Sequence, residues 1–408
     1  MKTEFVKLKY QDIKFKEEKD SINAVFLTNY YFKIPRKEIE KIGEYKIEEG
    51  TIVFKGVSEK SAKHKFSHLL ERYFNNLTNL ITKKPTIYIR KNLGIPLIGN
   101  TVFGIIYRNT NIIEVKPVTG CNLNCVYCSI DEGVDTKKAN DFVVECDYLV
   151  EEIKKMAEFI GEEWHCHIGT HGEPLLYPNL TKLIGEVAKI DNIRTISMDT
   201  NATLLTEKKI DELVEAGLTR FNVSLDAIDE EIAKKMCNAH YNVSHIKNMC
   251  KYITKKASLL IAPVFVRGWN DKEIERIIQF ALEINKKDTI KLGIQNFLEY
   301  PRGRNPTKQM LWSVFYSKLS DLEKKYKTKL ILSAKDFGIK KSRVLEKPFK
   351  KGDLVKAKIV CEGLYKNEKI AVADGRSINI LRCNKKVGDS ARIRIIRDKH
   401  NCFAGFCN

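Results

Sequence analysis

Between residues 111 and 297 the chain alternates short runs of apolar, β-branched residues with longer stretches whose apolar positions recur three and four apart. The runs are NIIEVKPV (111–118), WHCHIGT (164–170), IRTISMDT (193–200), RFNVSLD (220–226), SLLIAPVFV (258–266) and IKLGIQNF (290–297). Each is short and apolar enough for a strand buried on both faces. The intervening segments DYLVEEIKKMAEFI (147–160), NLTKLIGEVAKI (179–190), EKKIDELVEAG (207–217) and DKEIERIIQFALEI (271–284) carry the helical period, and Gly217 stands where a C-cap belongs. Six strand-then-helix units in succession predict an α/β fold in which a parallel sheet curls into a partial (β/α)6 TIM-like barrel, with its working loops at the C-terminal strand ends.

The pattern changes on both flanks. Residues 351–408 read as five short alternating strands with turns at Lys366-Asn367, Asp374-Gly375 and Val387-Gly388-Asp389, a small closed OB-like β-barrel. Near the N-terminus YYFKIPRKEIEKI (30–42) and SEKSAKHKFSHLLERYFNNLTNLI (58–81) read as helices, with strands at KIEEGTIVFKG (46–56) and PTIYIRK (85–91). The predicted organisation is an N-terminal α+β domain over 1–105 that could bind substrate, the (β/α) barrel over 106–335, a charged linker over 336–350 and the small barrel over 351–408.

Composition adds a compartment and a partner class. The longest apolar run, LLIAPVFV (259–266), is far short of a membrane span, and MKTEFVKLKYQD at the start carries no secretory signal. A cytoplasmic protein is expected, with its 11 cysteines reduced and available as metal ligands, reactive groups or buried apolar residues. Of the net charge of +19, residues 1–110 supply 21 − 12 = +9, residues 111–350 supply 37 − 34 = +3 and residues 351–408 supply 13 − 6 = +7. One Lys-rich region alone would be an ordinary solvated surface. Two basic flanks around a balanced centre fit a polyanion held against a catalytic middle.

Three cysteines in CNLNCVYC (121–128) follow directly after the first predicted strand. Cys121, Cys125 and Cys128 on one short loop can turn together onto an iron–sulfur cluster, leaving one iron without a protein ligand. Zinc is the competitor, but structural zinc takes four protein ligands and usually pairs two CxxC knuckles.

This CxxxCxxC loop, with the aromatic Tyr127 before its last cysteine, resembles the radical S-adenosylmethionine (SAM) superfamily. The resemblance implies a [4Fe-4S] cluster on Cys121, Cys125 and Cys128, with SAM bound through its amino and carboxylate groups to the open iron and cleaved reductively to a 5′-deoxyadenosyl radical. HGEP (171–174) resembles the family's GGEP, which binds the methionine ammonium; Gly172, Glu173 and Pro174 match, and His171 replaces the first glycine. TNATLL (200–205) and VSLDA (223–227) are similar to later family segments, which carries Asn201, Ser224 and Asp226 over as SAM contacts. PVFVRGWNDKEI (263–274) is similar to the strand whose backbone approaches adenine.

The C-terminal region is separately similar to a TRAM domain, through Gly352-Asp353, AVADGR (371–376), VGDSARIRI (387–395) and a last strand. That resemblance implies RNA binding, with Arg392, Arg394, Arg397 and Lys399 as phosphate contacts. A solvated accessory barrel is the alternative. The approach segment GIPLIGNTVFGIIYRNTNIIEVKPVTG (94–120) resembles an archaeal-type radical SAM group that also ends in TRAM.

Together the resemblances imply an enzyme that modifies a nucleoside in RNA, above all tRNA, with electrons from a donor such as ferredoxin or flavodoxin. Tyr300 or Trp269 would offer a stacking surface for a flipped base. Two other readings stay open: a radical SAM enzyme for a peptide or metabolite, with the small barrel as a recruitment module, and an RNA-binding protein with a cluster that does not turn over. Sulfur insertion is disfavoured, because residues 1–120 hold no cysteine for a second N-terminal cluster. Cys361, Cys383, Cys402 and Cys407, all in the small barrel, raise the question of an auxiliary cluster. Cys166, on the second strand, would be placed near the cavity.

Overall fold

The computed structural model describes residues 5–169, 171–285 and 290–407, so Thr170, at the end of the second predicted strand, lies outside the described residues. The chain divides into two compact units, one running to Tyr88 and including Ala139–Asp141, the other comprising Ile89–Lys138 and the chain from Phe142 onward. Residues 89–105, counted with the N-terminal domain from sequence, lie in the second unit.

The first unit is α+β. Strands Ile13–Glu17, Ser21–Phe26, Tyr30–Pro35 and Thr78–Asn79 form one antiparallel sheet, and Phe5–Leu8, Thr51–Lys55 and Glu44–Glu48 form another. YYFKIP, expected to be helical, is a strand. Tyr30, Phe32 and Ile34 are buried in alternation with Tyr31 and Lys33, and this period of two outweighs the helical spacing of the residues after it. Only Arg36–Glu40 is helical there. The second expected helix is Glu59–Phe74, started by the Ser58 hydroxyl accepting from the Ser61 amide.

In the second unit seven strands form one sheet: β1 (Gly104–Tyr107), β2 (Ile112–Lys116), β3 (Trp164–Ile168), β4 (Ile193–Thr200), β5 (Arg220–Val223), β6 (Ser258–Ile261) and β7 (Ile290–Leu292), in that spatial order. β2 to β7 are parallel, and β1 adds an antiparallel edge. Helices Cys146–Ile160, Leu180–Val187, Glu207–Glu215 and Glu273–Ile284 fall in the expected connections. Two more, Glu230–Cys237 and Val243–Lys256, occupy the link from β5 to β6. The last two predicted strands each break. Pro263 has no amide for the ladder, so the second pieces, Val264–Phe265 and Gln295–Asn296, pair with each other beyond the break.

Five strands, Leu354–Glu362, Lys369–Ala373, Arg376–Leu381, Ser390–Arg397 and Phe403–Cys407, close into the small barrel. Its turns carry the residues that tolerate positive φ: Asn367 (64°), Asp374 (43°) and Gly388 (99°). The barrel is docked on the chain that enters β1. The Ser377 amide donates to the Ile98 carbonyl (3.0 Å) and the Phe403 amide to Gly99 (2.8 Å), and a Cβ at Gly99 would lie 2.2 Å from the Ser377 carbonyl oxygen. Only glycine permits this approach. The charged segment 336–350 is also tied down: the Asn111 amide donates to Lys340, the Ser342 amide to Asn109, and the Tyr107 hydroxyl to Arg343 (2.6 Å).

Candidate active site

A cavity of about 300 Å³ lies at the C-terminal ends of β2 to β7. Cys121, Cys125, Tyr127, Cys128, Gly172, Glu173, Asn201, Ser224 and Asp226 all line it. Of the residues expected to contact cluster or SAM, Pro174 alone stands back, buried as the first residue of the turn Pro174–Leu176. Tyr300 lines the cavity. Trp269 does not, lying exposed in the turn after β6, and Cys166 is sealed inside β3.

The cysteine loop is held from several sides. The Asn124 and Val126 amides donate to the Cys237 and Met236 carbonyls (2.9 Å each). The Arg304 guanidinium donates to the Asp131 carboxylate (2.7 Å) and to the Cys125 carbonyl (3.2 Å). Gly172 takes φ +60°, and a Cβ there would sit 2.3 Å from the Gly120 carbonyl oxygen, so the retained glycine brings its loop against the residue before Cys121. His171 turns its Nδ1 to within 3.4 Å of the Glu132 carboxylate. Burial and the nearby Lys116 ammonium push its imidazole down to about 3, so it is neutral at pH 7.

The three thiols fit an iron–sulfur cluster. Burial raises Cys121 and Cys128 above the usual thiol range; Cys125 is raised first by the neighbouring Cys237 thiol and then by burial. As free groups they are poor nucleophiles, and a bound cation is what would draw off their protons. Backbone amides already point at the sulfurs: Leu123 N–H at Cys121 Sγ (3.4 Å) and Glu132 N–H at Cys128 Sγ (3.2 Å). Amides so placed stabilise cluster thiolates. Among the described residues no three Cys, His, Asp or Glu side chains gather around a point suited to a single ion.

Glu173 is 2% exposed and accepts from the Asn201 amide (2.8 Å), the Leu175 amide (3.1 Å) and the Thr200 hydroxyl (2.8 Å). Burial outweighs these donors and raises its carboxyl to about 7. The ionised form binds an ammonium and the protonated form does not, so SAM affinity is expected to rise with pH through about 7 and then level off. SAM titration calorimetry between pH 5.5 and 8.5 checks this: Glu173→Gln should flatten the profile and lower affinity above pH 7 by about tenfold. A slope unchanged in the variant would assign the titration to another group.

Asp226, which lines the cavity, also braces the cysteine loop. One carboxylate oxygen takes the Tyr127 hydroxyl and the other the Val264 amide (2.7 Å), so it fixes the aromatic of the cysteine loop. Ser224 keeps its hydroxyl free of hydrogen bonds among the described residues while its carbonyl accepts from Tyr241 (3.1 Å). Sequence reasoning missed Cys237 and Arg304, whose partners lie far away along the chain, and Glu132, whose partners Gly120, Lys138 and His171 follow no local motif.

In the small barrel, Arg392 and Arg394 are exposed on the outer face and paired in register with Lys356 and Leu354; Arg394 also faces the exposed Phe406. Lys358 continues the row. Arg397 turns instead to a cavity shared with the sheet, and Lys399 is exposed in the turn Lys399–Asn401. Cys383 and Cys407 lie 2.8 Å apart by sulfur, whereas the Cys402 thiol reaches the Asn100 carbonyl.

Residues 115–281 match the Radical SAM superfamily. The chain is 42% identical over 356 residues to the uncharacterized protein MJ0103 of Methanocaldococcus jannaschii, a match that spans 80% of this chain and 82% of that one. The chain belongs to the radical SAM superfamily. It is also 33% identical over 202 residues to GTP 3′,8-cyclase of Clostridium botulinum, covering 48% of this chain and 59% of the cyclase. Among solved structures, Streptococcus suis SuiB bound to S-adenosylmethionine is 14% identical and covers 80% of this chain and 71% of that one, with a TM-score of 0.42. Radical SAM enzymes use a [4Fe-4S] cluster and SAM, and take electrons from a reductant. Among the described residues no helix is long and apolar enough to cross a membrane.

Proposed function

We propose that this radical SAM enzyme abstracts hydrogen from a nucleoside within RNA, most directly tRNA. The outer face of the small barrel carries the reading: Lys356, Lys358, Arg392 and Arg394 stand on two adjacent strands with no carboxylate in ion-pair range among the described residues, and Phe406 stands beside Arg394. Cations interleaved with an exposed ring suit a phosphate backbone and an unstacked base. Docked through Gly99 and Ser377, the barrel would present the RNA at a fixed position relative to the open strand ends.

The cluster and SAM supply a carbon radical strong enough to abstract hydrogen from an unreactive position. The chain's part is to hold and shield. Cys121, Cys125 and Cys128 hold the iron; Glu173 binds the ammonium of SAM; Tyr127, pinned by Asp226, keeps the loop rigid. The cavity wall excludes water and competing hydrogen donors. A second reading, a free nucleotide as substrate, draws on the similarity to GTP 3′,8-cyclase.

Deleting the gene, digesting tRNA and rRNA separately to nucleosides and comparing them with wild type by mass spectrometry separates these readings. One modified nucleoside is expected to vanish while its precursor accumulates. Unchanged profiles in both pools, with the protein expressed in the parent, would reject RNA and favour the free nucleotide.

A further inference from the structure

A second cavity, of about 420 Å³, adjoins the first, and Ser129, Ile130 and Tyr300 line both. The sheet walls one side and the small barrel the other. Arg108, just past β1, and Lys116, at the end of β2, face it, with Arg302 from the loop after β7 and Arg397 from the barrel; Glu368 is the one carboxylate among the described lining residues. Two of these cations are neutralised within the protein, Arg108 by Glu114 and Arg302 by Glu368. Lys116 and Arg397 are not.

Lys116 is 5% exposed, yet its ammonium donates only to the Thr101 carbonyl (2.7 Å) and has no carboxylate in ion-pair range among the described residues. Burial lowers it to about 8 despite the pull of Glu114. The half-buried Arg397 guanidinium likewise makes no ion pair or hydrogen bond among the described residues. A desolvated cation with one neutral acceptor is costly to keep unless an anion completes it. Here the buried Lys116 ammonium and the half-buried, unpaired Arg397 guanidinium face one cavity from opposite walls.

We propose that this cavity binds the phosphate of a nucleotide substrate, with Lys116 and Arg397 as its charge partners, and that Tyr300 at the junction stacks against the attached nucleoside as it enters the thiol-lined cavity. The small barrel is then a wall of the substrate site as well as a platform. The proposal rests on the nucleoside substrate argued above and adds to it where the phosphate goes. Arginine and lysine from two elements suit a phosphate, whose oxygens accept from several directions.

The test is calorimetric titration of the reconstituted full chain with nucleoside 5′-monophosphates, their parent nucleosides and unfractionated tRNA. At least one monophosphate should bind, its nucleoside at least tenfold more weakly. Lys116→Met and Arg397→Gln should each weaken the nucleotide at least tenfold, Lys116→Arg should restore most of the binding, and Lys208→Gln, exposed on the helix Glu207–Glu215, should leave it unchanged. Equal binding of nucleoside and nucleotide overturns the proposal. So does wild-type nucleotide affinity in Arg397→Gln, the variant that decides if Lys116→Met fails to fold by circular dichroism. Competition by tRNA for the bound nucleotide would identify the phosphate as part of RNA. Binding of nucleotide that tRNA does not displace would keep the site and reject the RNA substrate. A nucleoside that is lost on gene deletion but still installed by both variants would keep the RNA substrate and reject the site.

Discussion

Replacing Cys125 with alanine should abolish both the cluster and the chemistry. After anaerobic reconstitution the parent protein is expected to hold about four irons per chain and the variant almost none, since a cube held by three thiolates cannot spare one. Release of 5′-deoxyadenosine from SAM under reducing conditions should fall by roughly 10³-fold or more, about 4 kcal/mol of barrier. The fold should survive, because the thiol is on a loop fixed by the backbone bonds to residues 236 and 237 and by Arg304. Cys237 is the informative control. It lines the cavity beside Cys125, and as a neighbour rather than a ligand it should leave iron content unchanged when replaced by alanine. Loss of iron in Cys237→Ala would make it a fourth ligand and remove the open coordination site. About eight irons in the parent would require a second cluster. Among the described residues of the small barrel only Cys383 and Cys407 approach each other, and Cys402 is committed to Asn100, so about four is expected.

What the sequence made legible was whatever is written locally. Ile193–Thr200 is a strand over the full expected range because its apolar run is flanked by turn residues, and the small barrel was readable because Asn367, Asp374 and Gly388 mark its reversals. YYFKIP was misread because apolar residues at 30, 31, 32 and 34 satisfy a helical and an alternating template together, and only the burial of 30, 32 and 34 decides between them. The parallel order of β2 to β7 followed from the strand–helix rhythm, whereas the observed sheet is open, flanked by β1 at one edge and β7 at the other. At the site the cysteine loop and the Gly-Glu-Pro segment are contiguous motifs and could be named directly. The groups that hold them could not. Arg304 reaches Asp131 across 173 positions and Cys125 across 179, and no local pattern encodes such a contact. Asp226 was found by its motif, which could not show that its two oxygens also accept from the Tyr127 hydroxyl and the Val264 amide and so brace the cysteine loop.

The largest stability effect is expected at Glu132. Its carboxylate forms an ion pair with the Lys138 ammonium, which is fully buried, and accepts from the Gly120 amide (3.1 Å) immediately before Cys121. Burial alone would raise this carboxyl, but Lys138 and His171 hold it well below the usual carboxylate range, so Glu132 is ionised at pH 7. Removing one member of such a pair leaves the other charge desolvated, which costs about 3–5 kcal/mol, whereas replacing both with apolar or neutral groups of similar size is often nearly neutral. Glu132→Gln should therefore lose about that much stability in denaturant unfolding, and Glu132→Gln combined with Lys138→Met should recover most of it. The double variant separates two roles of the same carboxylate. If the ion pair only stabilises the loop, the recovered protein should take up about four irons, as the parent does. If the bond to the Gly120 amide is also needed to aim Cys121, stability should return while iron uptake and SAM affinity stay low, because glutamine presents one acceptor oxygen where the carboxylate had two. The first outcome is favoured: Oε2 serves Gly120 and Oε1 serves Lys138 and His171, so removing the Lys138 ammonium leaves the single glutamine oxygen free to accept from the Gly120 amide.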